Sequence, residues 1–380
     1  MASFSTSYQD SLEPLNKNVP LPDKVRAIHR VLADRLGDID RVAAALYDPK
    51  TDLLKTFVDS SDSDDRPLHH YQAPLHESFS LQEIVRTGRP RVVNDLNELA
   101  ERPCGHVRRL TELGYAASYT MPMFYSGVLF GFLFFDSRRP QRFTPDVVHS
   151  LDVFGHLIAL VVIHDLSRLR TLACAVKAAR DLTHHRDMET GAHLDRMANY
   201  SRLIARTLAP RFGLDDEYVE RIFLFAPLHD VGKIGLPDRV LQKAGKLTPE
   251  EFELVKTHTL RGMEIVDTLV ADFGLGDLEG IGALRNIAAY HHEAINGSGY
   301  PVGLAEHAIP LESRIIAVAD VFDALTSKRS YKPAWSNDEA FAMLGQLAGV
   351  KLDRDCVEAL AARRTEIEEI QRRFQEDSLG

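Results

Sequence analysis

The chain has 380 residues, of which 44% are hydrophobic and 26% are charged. This length is sufficient for two domains with buried cores, and the composition is that of a globular protein, which excludes extensive disorder. The formal net charge of −10 argues against a protein that binds a nucleic-acid polymer, because such binding needs a basic surface that displaces counterions. A small phosphate ligand in a locally basic pocket remains compatible with this charge.

The cysteines and the amino terminus favour a reducing, cytoplasmic location. Cys104, Cys174 and Cys356 are far apart and form no Cys-x-x-Cys pair, so the sequence indicates neither a disulfide framework nor a zinc knuckle. The first residues lack the basic start and apolar core of a secretory signal. The longest uninterrupted apolar run, 157–163, is shorter than the roughly 20 residues that cross a bilayer. We therefore expect a cytoplasmic protein without a membrane anchor.

Residues 1–20 are polar and interrupted by proline, and we predict a flexible amino terminus. The segments that follow predict a sheet with flanking helices, in the order helix 24–36, strands 42–47 and 53–58, helix 80–86, strand 91–93, and strands 116–124 and 128–135. This order, together with the closing strand at 127–136, resembles a GAF sensory domain. The resemblance covers residues 21–165 and implies an α+β domain with an antiparallel sheet flanked by helices. It also implies a small ligand, whose identity the sequence leaves open.

Residues 145–182 are predicted to form one long connecting helix. Its apolar residues recur at intervals of three and four and form one stripe, namely Leu151, Phe154, Ile158, Val162, Leu166, Leu169, Ala173 and Val176. One interpretation is a coiled coil that joins two protomers of a homodimer. The alternative is that the first half of the helix closes the core of the preceding domain. The sequence favours neither.

Residues 172–380 are predicted to be almost entirely helical, ending in one charged, solvated helix at 356–375. The segment contains an adjacent imidazole and carboxylate, followed by further side chains of the same two types. The candidate metal ligands are Glu189, His193, His229, Asp230, His258, His291, His292 and Asp320. Nitrogen and oxygen ligands without thiolate suit catalytic iron, manganese or zinc. Their number exceeds the needs of one ion, so we predict two or three.

Four motifs carry a second resemblance: His229-Asp230-Val231-Gly232-Lys233, His291-His292-Glu293, Gly299-Tyr300-Pro301, and the segment 320–327. In this order and spacing they resemble the HD-GYP branch of the HD-domain phosphohydrolases, over residues 172–350. The resemblance implies an all-α domain that hydrolyses cyclic di-GMP, a bacterial second messenger, to pGpG and GMP. It implies two or three divalent metal ions, with iron as the first choice and manganese as the second. Asn296 departs from the aspartate that this family usually has, although we expect the turn to survive.

The same resemblance gives roles to single residues. Asp230 is expected to bridge two ions, and Lys233 to stabilise charge that develops on phosphate. Predicted substrate contacts are Lys233, Arg329, Lys332, Gly299, Tyr300 and Pro301. The Gly-Tyr-Pro loop is also a candidate site for a signalling partner. Glu189 is expected to accompany a third ion, and Asp323 to orient a ligand histidine.

Two alternatives to this function remain open. One is a phosphohydrolase for another cyclic dinucleotide or for a nucleotide. The other is a sensor or binding protein that docks partners without turnover.

Overall fold

The computed structural model describes residues 10–61, 68–99, 105–182, 191–243, 245–276, 280–327 and 334–375. The chain divides into two units, Met1–Arg168 and Leu169–Gly380. The division falls inside the long helix that the sequence predicts.

The first unit contains a six-stranded antiparallel sheet with the strand order β3-β2-β1-β6-β5-β4. Its elements in chain order are α1 (Leu21–Leu36), β1 (Arg41–Asp48), β2 (Leu53–Ser61), β3 (Gln72–Pro74), α2 (Phe79–Thr87), β4 (Arg91–Val93), α3 (Gly105–Glu112), β5 (Ala117–Tyr125), β6 (Val128–Ser137) and α4 (Pro145–Leu182). The predicted sheet flanked by helices is confirmed. The prediction omitted β3 and α3.

Strand β6 lies between β1 and β5, and most of its side chains are buried. This central position explains why its sequence is almost continuously apolar instead of alternating. Gly131 allows β6 to approach β1 closely, since a Cβ atom at this position would lie 2.0 Å from the carbonyl oxygen of Ala45. The glycine is therefore required by the packing of the two strands.

Helix α4 packs its first half against the sheet of the first unit. Tyr119 donates a hydrogen bond of 2.5 Å to Asp152, and a Cβ atom on Gly155 would lie 2.1 Å from the sulfur of Met121. Leu166 and Leu169 are only 1% and 8% exposed. The alternative in which the first half of this helix closes the core of the preceding domain agrees with these contacts. Because Leu166 and Leu169 are buried within the single chain, an interface between two protomers along α4 would have to use other side chains. Formation of a homodimer stays a prediction.

Helix α4 also contains one stretch with the properties of a membrane span. Within Pro145–Ala175, an 18-residue window has a mean hydropathy of 1.8 and passes a test that uses length and composition only. The sequence interpretation missed the stretch because it considered only uninterrupted apolar runs. Core helices of globular proteins pass the same test, and the contacts of Asp152 and Gly155 with the sheet agree with a core helix.

The described part of the second unit is helical. Its helices are α5 (Gly191–Phe212), α6 (Asp216–Phe225), α7 (Asp238–Leu241), α8 (Pro249–Lys256), α9 (His258–Asp272), α10 (Ile281–Tyr290), α11 (Leu311–Thr326), α12 (Asn337–Leu347), α13 (Arg354–Ala361) and α14 (Arg364–Arg373). One apolar core joins α5, α6 and α9 to α14, and it includes Tyr200 of α5, Phe225 of α6 and Phe322 of α11. The all-α prediction is confirmed.

The predicted helix at 356–375 is wrong as a single helix. It divides at Arg363, whose backbone φ of −121° and ψ of 41° are not helical. The two pieces are also less solvated than expected, since Leu360 of α13 and Ile367 of α14 are fully buried. Amphipathic periodicity continued across the break, which is why the sequence did not reveal it.

Candidate metal centre

The second unit brings together two groups of candidate ligands. In the first group, one atom from each of Asp230, His258, His291 and His292 lies within 4.8 Å of the others. The second group meets the same criterion and consists of His193, His229 and Asp320. Because His229 and Asp230 are adjacent in sequence, the two groups are neighbours. This arrangement matches the sequence prediction of more than one ion.

Helix ends supply most of these side chains. His229 and Asp230 follow a 3₁₀ turn at Ala226–Leu228, which continues α6 toward the core. His258 is the first residue of α9, and His291 and His292 directly follow α10. The other two members of the second group lie within helices instead, His193 in α5 and Asp320 in α11.

Gly232 controls the distance between Asp230 and α9. A Cβ atom on Gly232 would lie 1.8 Å from the carbonyl oxygen of His258 and 2.4 Å from the nitrogen of Gly262. Backbone atoms cannot give way as a side chain does. The turn at Val231–Gly235 therefore needs glycine at this position to bring Asp230 next to His258.

The carboxylate of Asp230 lies at the centre of the first group. Its Oδ1 is 3.0 Å from Nε2 of His258 and 3.6 Å from Nε2 of His291, while its Oδ2 is 2.7 Å from Nζ of Lys233. Burial alone would raise the pKa of the Asp230 carboxyl, but the charge of Lys233 and the contact with His229 hold it well below its ordinary value. Asp230 is therefore ionised at neutral pH and able to contribute both oxygens to ligation.

Backbone carbonyls fix the orientation of three imidazoles. Nδ1 of His229 lies 2.9 Å from the carbonyl oxygen of Ala226, and Nδ1 of His258 lies 2.7 Å from that of Val255. Nδ1 of His291 lies 2.9 Å from the carbonyl oxygen of Ile287. A carbonyl only accepts, so each Nδ1 carries a proton and each ring presents Nε2 toward the site.

His193 is oriented by a carboxylate instead. Its Nδ1 lies 2.7 Å from Oδ2 of Asp323, one helical turn after Asp320 in α11. Arg196 of α5 donates to both oxygens of that carboxylate, at 2.6 and 3.0 Å. Burial would raise the pKa of the Asp323 carboxyl, yet the bonds from His193 and Arg196 lower it. The ionised carboxylate thereby holds the ring of His193 with Nε2 available as a ligand atom.

The Gly-Tyr-Pro loop lies beside the first group. The ring of Tyr300 lies 4.8 Å from the ring of His292, and the nitrogen of Tyr300 donates to the carbonyl of His292 at 3.2 Å. Glu293 holds the end of the loop, because its Oε1 accepts from the nitrogens of Val302 at 2.8 Å and Gly303 at 3.0 Å. The loop is thus anchored to the segment that supplies two candidate ligands.

The turn that begins at Asn296 keeps its geometry. Oδ1 of Asn296 accepts from the nitrogen of Ser298 at 3.1 Å and from its hydroxyl at 2.6 Å. An amide oxygen serves as well as a carboxylate oxygen in such a turn. The expectation that the turn survives the replacement of aspartate is confirmed.

The first group of side chains fits a bound cation. Burial lowers the pKa of His291, which makes its imidazole neutral, and its proton lies on Nδ1 toward Ile287. The lone pair of Nε2 therefore points at the anionic Oδ1 of Asp230, 3.6 Å away. Two electron-rich atoms repel at such a distance unless a cation lies between them. Nitrogen and carboxylate ligands of this kind suit iron, manganese and zinc.

Two family models match this chain. Residues 186–356 match that of the HD domain, and residues 20–162 match that of the GAF domain. The chain joins a GAF domain to an HD domain. Both matched ranges agree with the two resemblances that the sequence motifs indicate.

The chain is similar to curated phosphodiesterases. A cyclic di-GMP phosphodiesterase of Vibrio cholerae is 41% identical over 57% of this chain and 46% of that protein. A cyclic di-GMP phosphodiesterase response regulator of Xanthomonas campestris is 47% identical over 49% of this chain and 46% of its own length. A 3′3′-cGAMP-specific phosphodiesterase of Vibrio cholerae is 36% identical over 54% of this chain and 37% of its own length. The chain thus spans less than half of each relative.

Most predicted site residues of the HD domain lie together in the structure. Seven candidate ligands occur in the two groups, and Lys233 contacts Asp230. Gly299 has a packing role, because a Cβ atom there would lie 2.3 Å from the nitrogen of Ala294. Three predicted residues lie outside the described ranges, namely Glu189, Arg329 and Lys332. Their roles stay predictions.

The sequence interpretation missed two supporting residues, Arg196 and Glu293. The spacing of the sequence could have indicated Arg196. It lies three residues after His193, just as Asp323 lies three residues after Asp320. Residues three apart on a helix share one face. Glu293 was recognised as part of the motif His291-His292-Glu293, but its role was not, since its partners are backbone nitrogens nine and ten residues away.

Proposed function

We propose that this protein is a metal-dependent phosphodiesterase that hydrolyses cyclic di-GMP. The observation that carries the proposal is the convergence of buried imidazoles on the ionised carboxylate of Asp230, beside a second group of candidate ligands. The similarity of the HD domain to cyclic di-GMP phosphodiesterases supports the choice of substrate. The proposed products are pGpG and then GMP.

Two ions are the minimum that the ligand groups support. Asp230, His258, His291 and His292 would hold one ion, and His193, His229 and Asp320 would hold the other. Iron is the proposed metal and manganese the alternative. Divalent cations bound here would act as Lewis acids on a phosphodiester and would make water a better nucleophile at neutral pH. Glu189 is proposed to accompany a third ion.

The surrounding residues have separate roles in this proposal. Lys233 lies close enough to Asp230 to place its charge against a phosphate oxygen of the bound substrate. Tyr300, held beside His292 by the anchored loop, would border the substrate. Arg329 and Lys332 are proposed as further phosphate contacts, and Gly299 and Pro301 as residues that shape the loop.

A second candidate substrate is 3′3′-cGAMP. The specific observation in its favour is the similarity of this chain to a phosphodiesterase named for that dinucleotide. The two substrates share the cyclic phosphodiester ring and differ in one base. The ligand groups act on the phosphodiester, so base contacts must decide between them.

We further propose that the GAF domain binds a small ligand and regulates the HD domain. Two copies are proposed to associate through the outer side of α4, where Val153 and Leu160 are 68% and 64% exposed. These two residues are seven apart and lie on one face of the helix. The Gly-Tyr-Pro loop is proposed as the site for a signalling partner. A cytoplasmic location fits such a role.

Hydrolysis by the purified full chain tests the function. The protein is loaded with Mn²⁺ or, without oxygen, with Fe²⁺, and the ion content is measured before incubation with cyclic di-GMP and 3′3′-cGAMP. We expect hydrolysis of cyclic di-GMP, and loss of the bound metal and of turnover in Asp230→Ala, because Asp230 is proposed to bridge the ions of the two ligand groups. The control is Asp267→Ala, which removes an exposed aspartate paired with Arg285. If metal-loaded protein hydrolyses neither dinucleotide, the proposed activity is contradicted. The alternative of a sensor or binding protein without turnover then remains.

A further inference from the structure

Arg196 joins three parts of the HD domain through one guanidinium group. It is 5% exposed, and its Nε and Nη2 donate to the two carboxylate oxygens of Asp323. Nη2 also donates to the hydroxyl of Ser327 at 2.7 Å, just after α11. Nη1 donates to the carbonyl oxygen of Phe374 at 3.0 Å, just after α14. These bonds fix the plane of the guanidinium.

The carboxylate held by Arg196 is the one that orients His193. Oδ2 of Asp323 lies 2.7 Å from Nδ1 of His193, and it also accepts from Ser327 at 3.0 Å. A rotation of the carboxylate would break the bond to His193 and change the direction of Nε2. Arg196 therefore acts on His193 although its own atoms face Asp323.

We propose that Arg196 is a positioning residue for the ion held by His193, His229 and Asp320, and that it acts through Asp323. This inference deepens the metal-dependent function proposed above and rests on it. The effect is selective for one ion. In the other group, His258 and His291 are oriented by the backbone carbonyls of Val255 and Ile287 instead of by the carboxylate of Asp323.

A metal titration of the full chain separates the two ions. The protein is stripped of metal and dialysed against a series of free Mn²⁺ concentrations, and bound Mn²⁺ is counted at each concentration. Loss of a residue that supports a ligand costs roughly 10–100-fold in metal affinity. For Arg196→Met we expect one class of Mn²⁺ site to weaken by this factor, while the other class keeps its wild-type affinity. Saturating Mn²⁺ should restore the wild-type number of ions.

Arg314→Met is the matched control. Arg314 is also a buried arginine, and it donates to Asp353 at 2.7 Å and to the carbonyl oxygen of Ile309 at 3.0 Å. Replacing Arg314 removes the same kinds of bond from the same unit. Neither of these bonds involves a candidate ligand. We expect Arg314→Met to lower the melting temperature and to leave both Mn²⁺ affinities unchanged.

Asp323→Asn is the second variant and keeps the test usable if Arg196→Met does not fold. It keeps the shape of the side chain and removes its charge, so we expect the same selective loss. Equal weakening of both Mn²⁺ sites, or unchanged affinities in Arg196→Met or Asp323→Asn, would overturn the inference. A wild-type protein that binds no Mn²⁺ or Fe²⁺ would instead overturn the proposed function.

Discussion

The buried carboxylate of Asp230 contacts both candidate ligand histidines and a lysine. Its oxygens face His258 and His291 on one side and Lys233 on the other. The lysine keeps the carboxylate ionised in a place where burial opposes the charge. The same lysine is the proposed phosphate contact, so binding of an anionic substrate would give Lys233 a second negative partner.

Glu189 is the residue on which the number of ions depends. Seven candidate ligands are enough for two ions with open positions, so a further carboxylate four residues before His193 in the sequence predicts a third. We expect three ions per wild-type chain, two in Glu189→Ala, and slower conversion of pGpG to GMP. Metal analysis and chromatography of the products measure both. Glu264→Ala, which removes an exposed carboxylate of α9, should match wild type. Two ions in fully loaded wild-type protein would contradict the prediction.

His106 of the GAF domain predicts sensitivity to acid. Burial, followed by the charges of Arg91 and Arg41, lowers its pKa from 6.5 to about 4. Between these values the unfolded chain binds a proton that the folded chain does not, so the free energy of unfolding falls as the pH decreases. The loss from pH 7 to pH 4 is at most about 3 kcal/mol.

Urea unfolding at pH 7 and at pH 4.5 measures this contribution. His106→Gln should lose less stability on acidification than wild type, because its side chain does not titrate. His149→Gln, which changes an exposed histidine of α4, is the control and should behave as wild type. An equal loss in wild type and His106→Gln would show that this histidine does not cause the acid sensitivity.

The sequence predicted the ligand types at single positions but not how they are held. His229, His258 and His291 were recognised from motifs, because residue type and order are properties of the chain itself. Their orientation depends on carbonyls three or four residues earlier, which every helix provides and no motif marks. The support of His193 comes from Asp323, 130 residues away, and required the fold.

At the scale of elements, α4 illustrates a limit of periodicity. An apolar stripe predicts a helix and one buried face, and both are found. The stripe does not reveal what covers that face. Here the first half of the helix packs on the sheet of its own domain, whereas a coiled coil would give the same spacing. The exposed face, with Val153 and Leu160, carried no continuous apolar pattern.

The proposed dimer can be tested on that exposed face. Replacing Val153 and Leu160 by glutamate places charges where two copies would meet, so the double variant should be monomeric and folded. Light scattering gives the mass, and circular dichroism confirms the helix content. Val128→Glu changes a residue that is 67% exposed in β6 and should leave the mass unchanged. A monomeric wild type, or a dimeric double variant, would contradict the proposed interface.

At the scale of the whole molecule, the two domains contain different structural features. The HD domain contains the described candidate ligand groups, and the GAF domain contains the sheet. Fold class was predictable for both, because long helices and paired strands have strong patterns. The exact division at Arg168 and Leu169 was not, because it falls inside a helix whose sequence does not change character there.

The single tryptophan allows the HD domain to be followed within the full chain. Trp335 donates its backbone nitrogen to Leu325 of α11 at 3.0 Å, and α11 also carries Asp320. A ligand at 100 times its Kd stabilises the folded state by about 2.7 kcal/mol. For a domain of this size the melting temperature should rise by roughly 5–10 °C.

Thermal unfolding monitored by tryptophan fluorescence checks this effect of metal. Addition of Mn²⁺ to metal-free protein should raise the melting temperature, and a chelator should reverse this rise. Asp230→Ala should show no rise in melting temperature, because it lacks the carboxylate that is proposed to bridge the ions of the two ligand groups. A wild-type melting temperature that does not change on addition of Mn²⁺ would contradict a metal centre in the HD domain.

The turn at Asn296 also affects how the purified protein ages. Asparagine before glycine is prone to deamidation, in which the glycine nitrogen attacks the side-chain carbonyl. In the folded chain, however, the nitrogen of Gly297 donates to Ala294 at 2.8 Å, and Oδ1 of Asn296 is held by Ser298. We therefore expect slow deamidation in stored native protein and faster deamidation after unfolding, as measured by peptide mass spectrometry. Attack by the glycine nitrogen expels ammonia and forms a succinimide, which water opens mainly to isoaspartate and in smaller part to aspartate. Prolonged storage would therefore give only a minor fraction of the chains the residue that the HD-GYP family usually has, and it would insert an extra backbone carbon at this turn in the rest of the deamidated chains.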